Sequence, residues 1–267
     1  MRIGEKPSCS AVTFCRLPKR TFDDVSLPVS ATPSQPSSGE KNGNHDPVAA
    51  NAQQPDAAKP QRPARKPDAS LAKITDEPGL PRVLIIGDSI SIGYTLATRE
   101  LLKGKANLHR IPANGGSTKD GVAKIDGWLA SEKWDAIHFN WGLHDLKHWK
   151  DGKLDPAGPV VSTLEEYEKN LRGLVKRLKA TGAKLIWATT TPVPEGSGGR
   201  TANDELKYNE VAARVMKDSG IPTDDLHALC KPKLADWQLP QNVHFKPEGY
   251  ASLAAKVAAE IETALKK

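Results

Sequence analysis

Arg82-Val83-Leu84-Ile85-Ile86-Gly87-Asp88-Ser89-Ile90 is the stretch that decides the fold. An unbroken apolar run closed by glycine reads as a strand buried on both faces, because a half-exposed strand would alternate polar and apolar. Helical spacing follows over Gly93–Gly104. Downstream the pattern repeats: a strand over Ala106–Ile111, a helix over Lys119–Ser131, and a strand over Trp134–Trp141. Ser162 or Thr163 opens the next helix, with Glu165 or Glu166 three residues on as a capping box. That helix runs to about Ala180 and stops at Gly182. A strand over Lys184–Thr191 is ended by Pro192 and Pro194. A helix over Asp204–Asp218, closed by Gly220, leads to a short strand over Ile221–Leu226, and Pro247 opens the last helix. Strands and helices that alternate in this way predict a three-layer α/β/α sandwich with a central parallel sheet of about five strands.

Upstream the texture differs. Residues 1–79 hold 11 of the 21 prolines, and Ser30–Ser70 has almost no large apolar side chain, so this segment is expected to be a disordered Pro/Ala/Ser-rich leader before a single domain over residues 80–267. Its charges nearly cancel, with 11 Lys and Arg against 9 Asp and Glu. The whole chain has a net charge of +6, but its basic residues are interleaved with acids, which argues against nucleic-acid binding. No apolar run is long enough to span a bilayer. Arg2 and Lys6 resemble the start of a signal peptide, but Pro7–Pro18 is broken by polar residues, so no clear signal peptide is read and localisation stays open. Cys9, Cys15 and Cys230 show no metal-ligand spacing, and no metal site is expected.

Ligands of parallel sheets bind beyond the carboxyl ends of the strands, so the motifs there carry the chemistry. Gly87-Asp88-Ser89 places a hydroxyl at a strand-to-helix turn, where the helix N-terminus favours a developing negative charge. Asn114-Gly115-Gly116-Ser117-Thr118 lets backbone N–H groups approach an anion. Asn140-Trp141-Gly142-Leu143-His144-Asp145 brings His and Asp to the end of the third strand. His244 lies in a late loop, Asn242-Val243-His244-Phe245, before the last helix. Acyl transfer needs a nucleophile, a base and fixed donors for an oxyanion, and this set offers all three without a cofactor.

From about Arg82 to Tyr250 the chain resembles the SGNH (GDSL-type) hydrolase superfamily, which has a flavodoxin-like α/β/α fold. Gly87-Asp88-Ser89-Ile90 is similar to its first block and Gly116-Ser117-Thr118 to its second. Gly142-Leu143-His144-Asp145 is similar to the third and Val243-His244-Phe245 to the fifth. The resemblance implies Ser89 as nucleophile, His244 as base, and an oxyanion hole from the N–H groups of Ser89 and Gly116 with His144 as third donor. It also favours an extracellular or periplasmic location.

Two positions depart from the pattern. The third-block Asn is His144, whose imidazole N–H can also donate; protonated, it would be a stronger donor and make the rate pH-sensitive near its titration point. The family Asp three residues before the histidine is Gln241. Either a slow Ser89–His244 dyad is therefore expected, with Gln241 holding the imidazole through its amide oxygen, or a partner recruited from elsewhere, with Asp236, Asp225 or a backbone carbonyl as candidates. Asp145 is read as a support of its loop and His138 as a packed core residue. His148 and Trp149 in the segment Leu146–Val161, Trp237, and Arg200 in Pro194–Thr201 are candidate pocket edges. The resulting expectation is a carboxylic ester hydrolase acting on a small-molecule or glycan ester, an O-acetylated carbohydrate by preference. The alternatives are a lipase or thioesterase, or a weak or inactive SGNH-fold protein that binds acylated glycans.

Overall fold

The structure, a computed structural model, describes residues 68–266. Five parallel strands form the central sheet: β1 (Arg82–Ile86), β2 (Asn107–Arg110), β3 (Ala136–Phe139), β6 (Lys184–Ala188) and β7 (Thr223–Asp224). Their spatial order is β2-β1-β3-β6-β7. After β2 the chain crosses back over β1 to place β3 on its other side. The connections leaving β1 and β3 therefore diverge, and a crevice opens at their carboxyl ends. Register keeps Leu84 beside His109 on one side and Ile137 on the other.

Helices cover both faces: α1 (Ser89–Leu101), α2 (Thr118–Leu129), α3 (Leu164–Lys179), α4 (Asp204–Ser219), and after two short turns, α5 (Leu226–Cys230) and α6 (Leu234–Trp237), the long α7 (Pro247–Lys266). The Thr163–Glu166 capping box opens α3, and Gly220 closes α4 with φ 67, a left-handed conformation that glycine adopts without strain. The core is made by the sheet residues and one stripe of each helix. Trp141, Trp187, Tyr167 and Phe139 are its largest buried side chains, with Phe139 and Trp187 meeting edge to face at 5.3 Å.

Three features depart from the sequence expectation. Helix α1 begins at Ser89, four residues before Gly93, because Asp88 caps it. The segment Leu146–Val161 carries a small hairpin, β4 (Trp149–Lys150) and β5 (Lys153–Leu154), closed by Asp151 and Gly152 at positive φ. Residues 68–79, read as leader, are ordered on the domain. Ser70 is buried, Glu77 N–H donates to Asn107 Oδ1 at 2.8 Å, and Arg99 holds the carbonyls of Ala69 and Ala72. The leader expectation for residues 1–67, with Cys9 and Cys15, lies outside the described residues. Cys230 is buried and free. Among the described residues no helix is long and apolar enough to cross a membrane, and no cluster of three metal-ligating side chains occurs.

Candidate active site

The first element of the site is the turn out of β1. Asp88 Oδ1 accepts from Ile90 N–H at 2.9 Å, making Asp88 the N-cap and Ser89 the first residue of α1. The Ser89 N–H is then one of the donors that a helix cannot satisfy within itself. The buried guanidinium of Arg110, at the end of β2, braces this turn. It donates to Gly87 O at 2.8 Å, Asp88 O at 3.1 Å and Ser91 Oγ at 2.9 Å, and reaches the second loop at Ala113 O. Burial pulls its pKa down to about 10, which leaves it charged.

The second element is the loop before α7. His244 Nε2 lies 2.9 Å from Ser89 Oγ, across 155 residues of sequence. Its Nδ1 lies 2.7 Å from Asn242 Oδ1, which also accepts from the His244 backbone N–H at 3.0 Å. That backbone N–H can only donate, so the atom facing it is the amide oxygen, and the same oxygen must receive a proton from Nδ1. The tautomer follows: Nδ1 carries the hydrogen and Nε2 presents its lone pair to the Ser89 hydroxyl. Helix α7 brings this loop to α1 through close packing. A Cβ on Gly93 would overlap the ring of Tyr250.

The group that orients His244 is therefore Asn242, which the sequence expectation passed over. Gln241, at φ 52, is exposed and packs against Gly196. Asp225 is the N-cap of α5 and accepts from Ala228 N–H and Thr189 Oγ, each at 3.0 Å. Asp236 is exposed on α6. None of these three is bonded to His244. Burial lowers the His244 pKa below its ordinary 6.5, with Arg200 and Lys147 acting in the same direction and Asp88 opposing.

The oxyanion candidates divide. Ser89 N–H has no partner within α1, whereas Gly116 N–H is taken up by Asn114 Oδ1 at 3.0 Å. His144 is half-buried, and Lys147 Nζ stands 2.9 Å from its Nδ1. Burial pushes the His144 pKa down to about 4, with Lys147 and Arg200 reinforcing the shift against Asp88 and Asp120. The imidazole is thus neutral at physiological pH. Any pH sensitivity from protonation of His144 therefore falls near pH 4. Asp145 is fully buried and accepts from Thr118 N–H at 3.0 Å, so it fastens the second loop. Burial raises its pKa to about 6.

The remaining candidates are mostly structural. His138 is buried and bonded to buried Asp224 at 3.0 Å. His148 Nδ1–H donates to Gly158 O at 2.8 Å, and Trp237 lies against Gly249 of α7. Of the six tryptophans Trp149 alone is exposed, at 40%. Arg200 Nε–H donates to Leu143 O at 2.9 Å, so the 194–201 loop is tied to the third block. Asn242, Arg110 and Lys147 are the site residues that sequence reasoning missed.

Residues 85–252 match the model of the GDSL-like lipase/acylhydrolase family. The sequence matches no curated protein. Among solved structures, the chain is similar to the lipase/acylhydrolase from Enterococcus faecalis, with 19% identity and a TM-score of 0.59 over 69% of this chain and 96% of that one. It is similar to the acetyl xylan esterase AlAXEase at 19% identity and TM-score 0.57, covering 67% and 99%. The acetylxylan esterase Axe2 of Geobacillus stearothermophilus matches at 21% and 0.56, covering 68% and 94%. At these identities the likeness concerns the fold.

Proposed function

Because the chain belongs to the GDSL-like lipase/acylhydrolase family, we propose that it is a serine esterase with Ser89 as nucleophile and His244 as base. The observation that carries this reading is the chain of contacts Ser89 Oγ–His244 Nε2–Nδ1–Asn242 Oδ1, at 2.9 and 2.7 Å. As Ser89 Oγ attacks the ester carbonyl carbon, its proton passes to Nε2 and the carbonyl π electrons move to oxygen. That oxyanion meets the Ser89 N–H, the Nε2–H of His144, and the Gly116 N–H once it exchanges Asn114 for the substrate. Collapse of the intermediate expels the alkoxide, which takes the proton from His244. Water then repeats the sequence and frees the acid. Asn242 holds the productive tautomer but offers no negative charge to the imidazolium, so turnover is expected to be lower than with a carboxylate. No step calls for a metal or organic cofactor.

An O-acetylated carbohydrate is the favoured substrate. Two of the similar folds are acetyl xylan esterases, and Trp149 on the hairpin offers an exposed flat face of the kind on which sugar rings stack. The test is hydrolysis of p-nitrophenyl acetate and release of acetate from acetylated xylan, with Ser89→Ala alongside. Equal rates for the two proteins would remove the esterase reading, and binding of the glycan without turnover would leave an inactive binding protein. Faster cleavage of long acyl chains would redirect it to lipase or thioesterase chemistry.

A further inference from the structure

We propose that Lys147 is a positioning residue that holds His144 in the Nε2–H tautomer, so that an imidazole serves as an oxyanion donor where the superfamily pattern has an amide. The inference rests on the esterase reading for its catalytic meaning and on geometry for the tautomer itself.

A neutral imidazole donates through one nitrogen and accepts through the other, and the tautomer decides which. At an oxyanion hole only one of the two is useful. An ammonium has three donors and no acceptor, so a Lys147 Nζ at 2.9 Å from His144 Nδ1 must face a lone pair. The ring hydrogen is then on Nε2, which has no hydrogen-bond acceptor among the described residues.

The local turn builds this contact. Asp145 and Leu146 N–H both donate to Gly142 O, at 2.9 and 3.0 Å, folding the chain so that Lys147 returns over His144 three residues earlier. Val161 N–H then pins the Lys147 carbonyl at 2.7 Å. No carboxylate within 4.0 Å pairs with Lys147 among the described residues, so the ammonium is not spent on an ion pair. Arg200, the other cation nearby, is directed to the Leu143 and Gly198 carbonyls and leaves the ring nitrogen to Lys147.

The ammonium has a second effect. A cation in contact with the ring disfavours a second proton on it, in concert with burial and Arg200 and against Asp88 and Asp120. The donor is therefore a neutral N–H at any pH well above about 4, as an amide is by constitution.

The test uses the full chain with ¹⁵N-labelled histidine, His144→Asn identifying the His144 signals. Two-bond ¹H–¹⁵N spectra should show an unprotonated Nδ1 in the wild type, and a population with protonated Nδ1 in Lys147→Met. Lys147→Met should lower kcat about tenfold or more with little change in KM, because the donor acts on the transition state. Lys147→Gln, whose amide can still donate to Nδ1, should recover part of that loss. Measured well above the acid limb of His244, whose pKa Lys147 also lowers, the Lys147→Met change in a His144→Asn background should have no further effect on kcat, since an amide has no tautomer to set. A protonated Nδ1 in the wild type, or the same kcat loss in both backgrounds, would overturn the proposal. If the wild type shows no esterase activity, the esterase reading and the catalytic half of the proposal both fail, while the spectrum still decides the tautomer.

Discussion

Replacing Asn242 by Asp would place a formal negative charge where an amide oxygen now sits 2.7 Å from His244 Nδ1. Two unit charges about 4 Å apart interact by about 4 kcal/mol at an effective dielectric of about 20, and by about 1 kcal/mol in water. His244 is half-buried, so a coupling of about 2 kcal/mol is appropriate, equivalent to roughly 1.5 pKa units. In the wild type His244 is neutral down to a pH below its ordinary 6.5, because burial and the cations Arg200 and Lys147 oppose its protonation. The acid limb of kcat/KM therefore lies below 6.5 in the wild type and moves up by about 1.5 units in Asn242→Asp. Above both limbs the variant should be faster by about tenfold, the imidazolium being better stabilised in the transition state. The two pH profiles must therefore cross, with the variant slower in acid and faster in base. Asn242→Ala removes the acceptor altogether and should lower kcat by about 10²-fold or more at every pH through loss of the tautomer. The assay is the pH dependence of p-nitrophenyl ester hydrolysis. An acid limb that does not move in Asn242→Asp would refute the assignment of Asn242 as the partner of His244.

Other perturbations follow from single residues. Arg110→Met takes the side-chain donor from Ala113 O and one of the donors from Gly87 O and Asp88 O, which keep the N–H groups of Gly115 and Ile92, and thermal unfolding should record a loss of about 1–3 kcal/mol together with a fall in kcat. Asp145 keeps its proton up to about 6 in the folded chain against an ordinary 3.8, so the folded state binds more protons between those values and stability declines as pH rises through that window. The decline attributable to Asp145 is about 3 kcal/mol, and denaturant titrations of Asp145→Asn should lack it. Gly93→Ala improves helix propensity yet should destabilise the chain by about 1–3 kcal/mol, because the new methyl meets the Tyr250 ring. A gain in stability in that variant would show that α1 and α7 can separate at no cost.

The architecture was legible because parallel strands are buried on both faces, and Val83–Ile86 and Ala136–Phe139 advertise that without ambiguity. The capping box at Thr163 and the glycine stop at Gly220 located helix ends for the same local reason. The start of α1 was less legible. Asp88 reads equally as a turn residue or a cap until its side chain is seen on Ile90 N–H. The hairpin after Leu146 was signalled by Asp151-Gly152 and passed over. At the site, Ser89 and His144 were visible as residue types at strand ends and His244 in the loop before the last helix. Their partners were not, because each partnership depends on a turn. Asn242 reaches His244 through an oxygen shared with a backbone N–H two residues on, a local bond that Asn in such a loop forms readily. Lys147 acts three residues from His144 only because Gly142 folds the chain back. Nothing in the sequence around Arg110 marks the loop carbonyls that its guanidinium reaches.

The packing of Gly93 against Tyr250 bears on how the molecule matures. Ser89 belongs to the first helix and His244 to the entry of the last, so the proposed nucleophile lacks its proposed base until α7 has docked on α1. Contacts between segments so distant in the chain close late and at high entropic cost in folding. Hydrolytic activity should consequently appear with the slowest phase of refolding, after the sheet has gained its helical signal. On heating or in mild denaturant it should vanish with the first fraying of α7, while the strands still resist hydrogen exchange. The Ser89–His244 contact thus doubles as a clock for the final docking event.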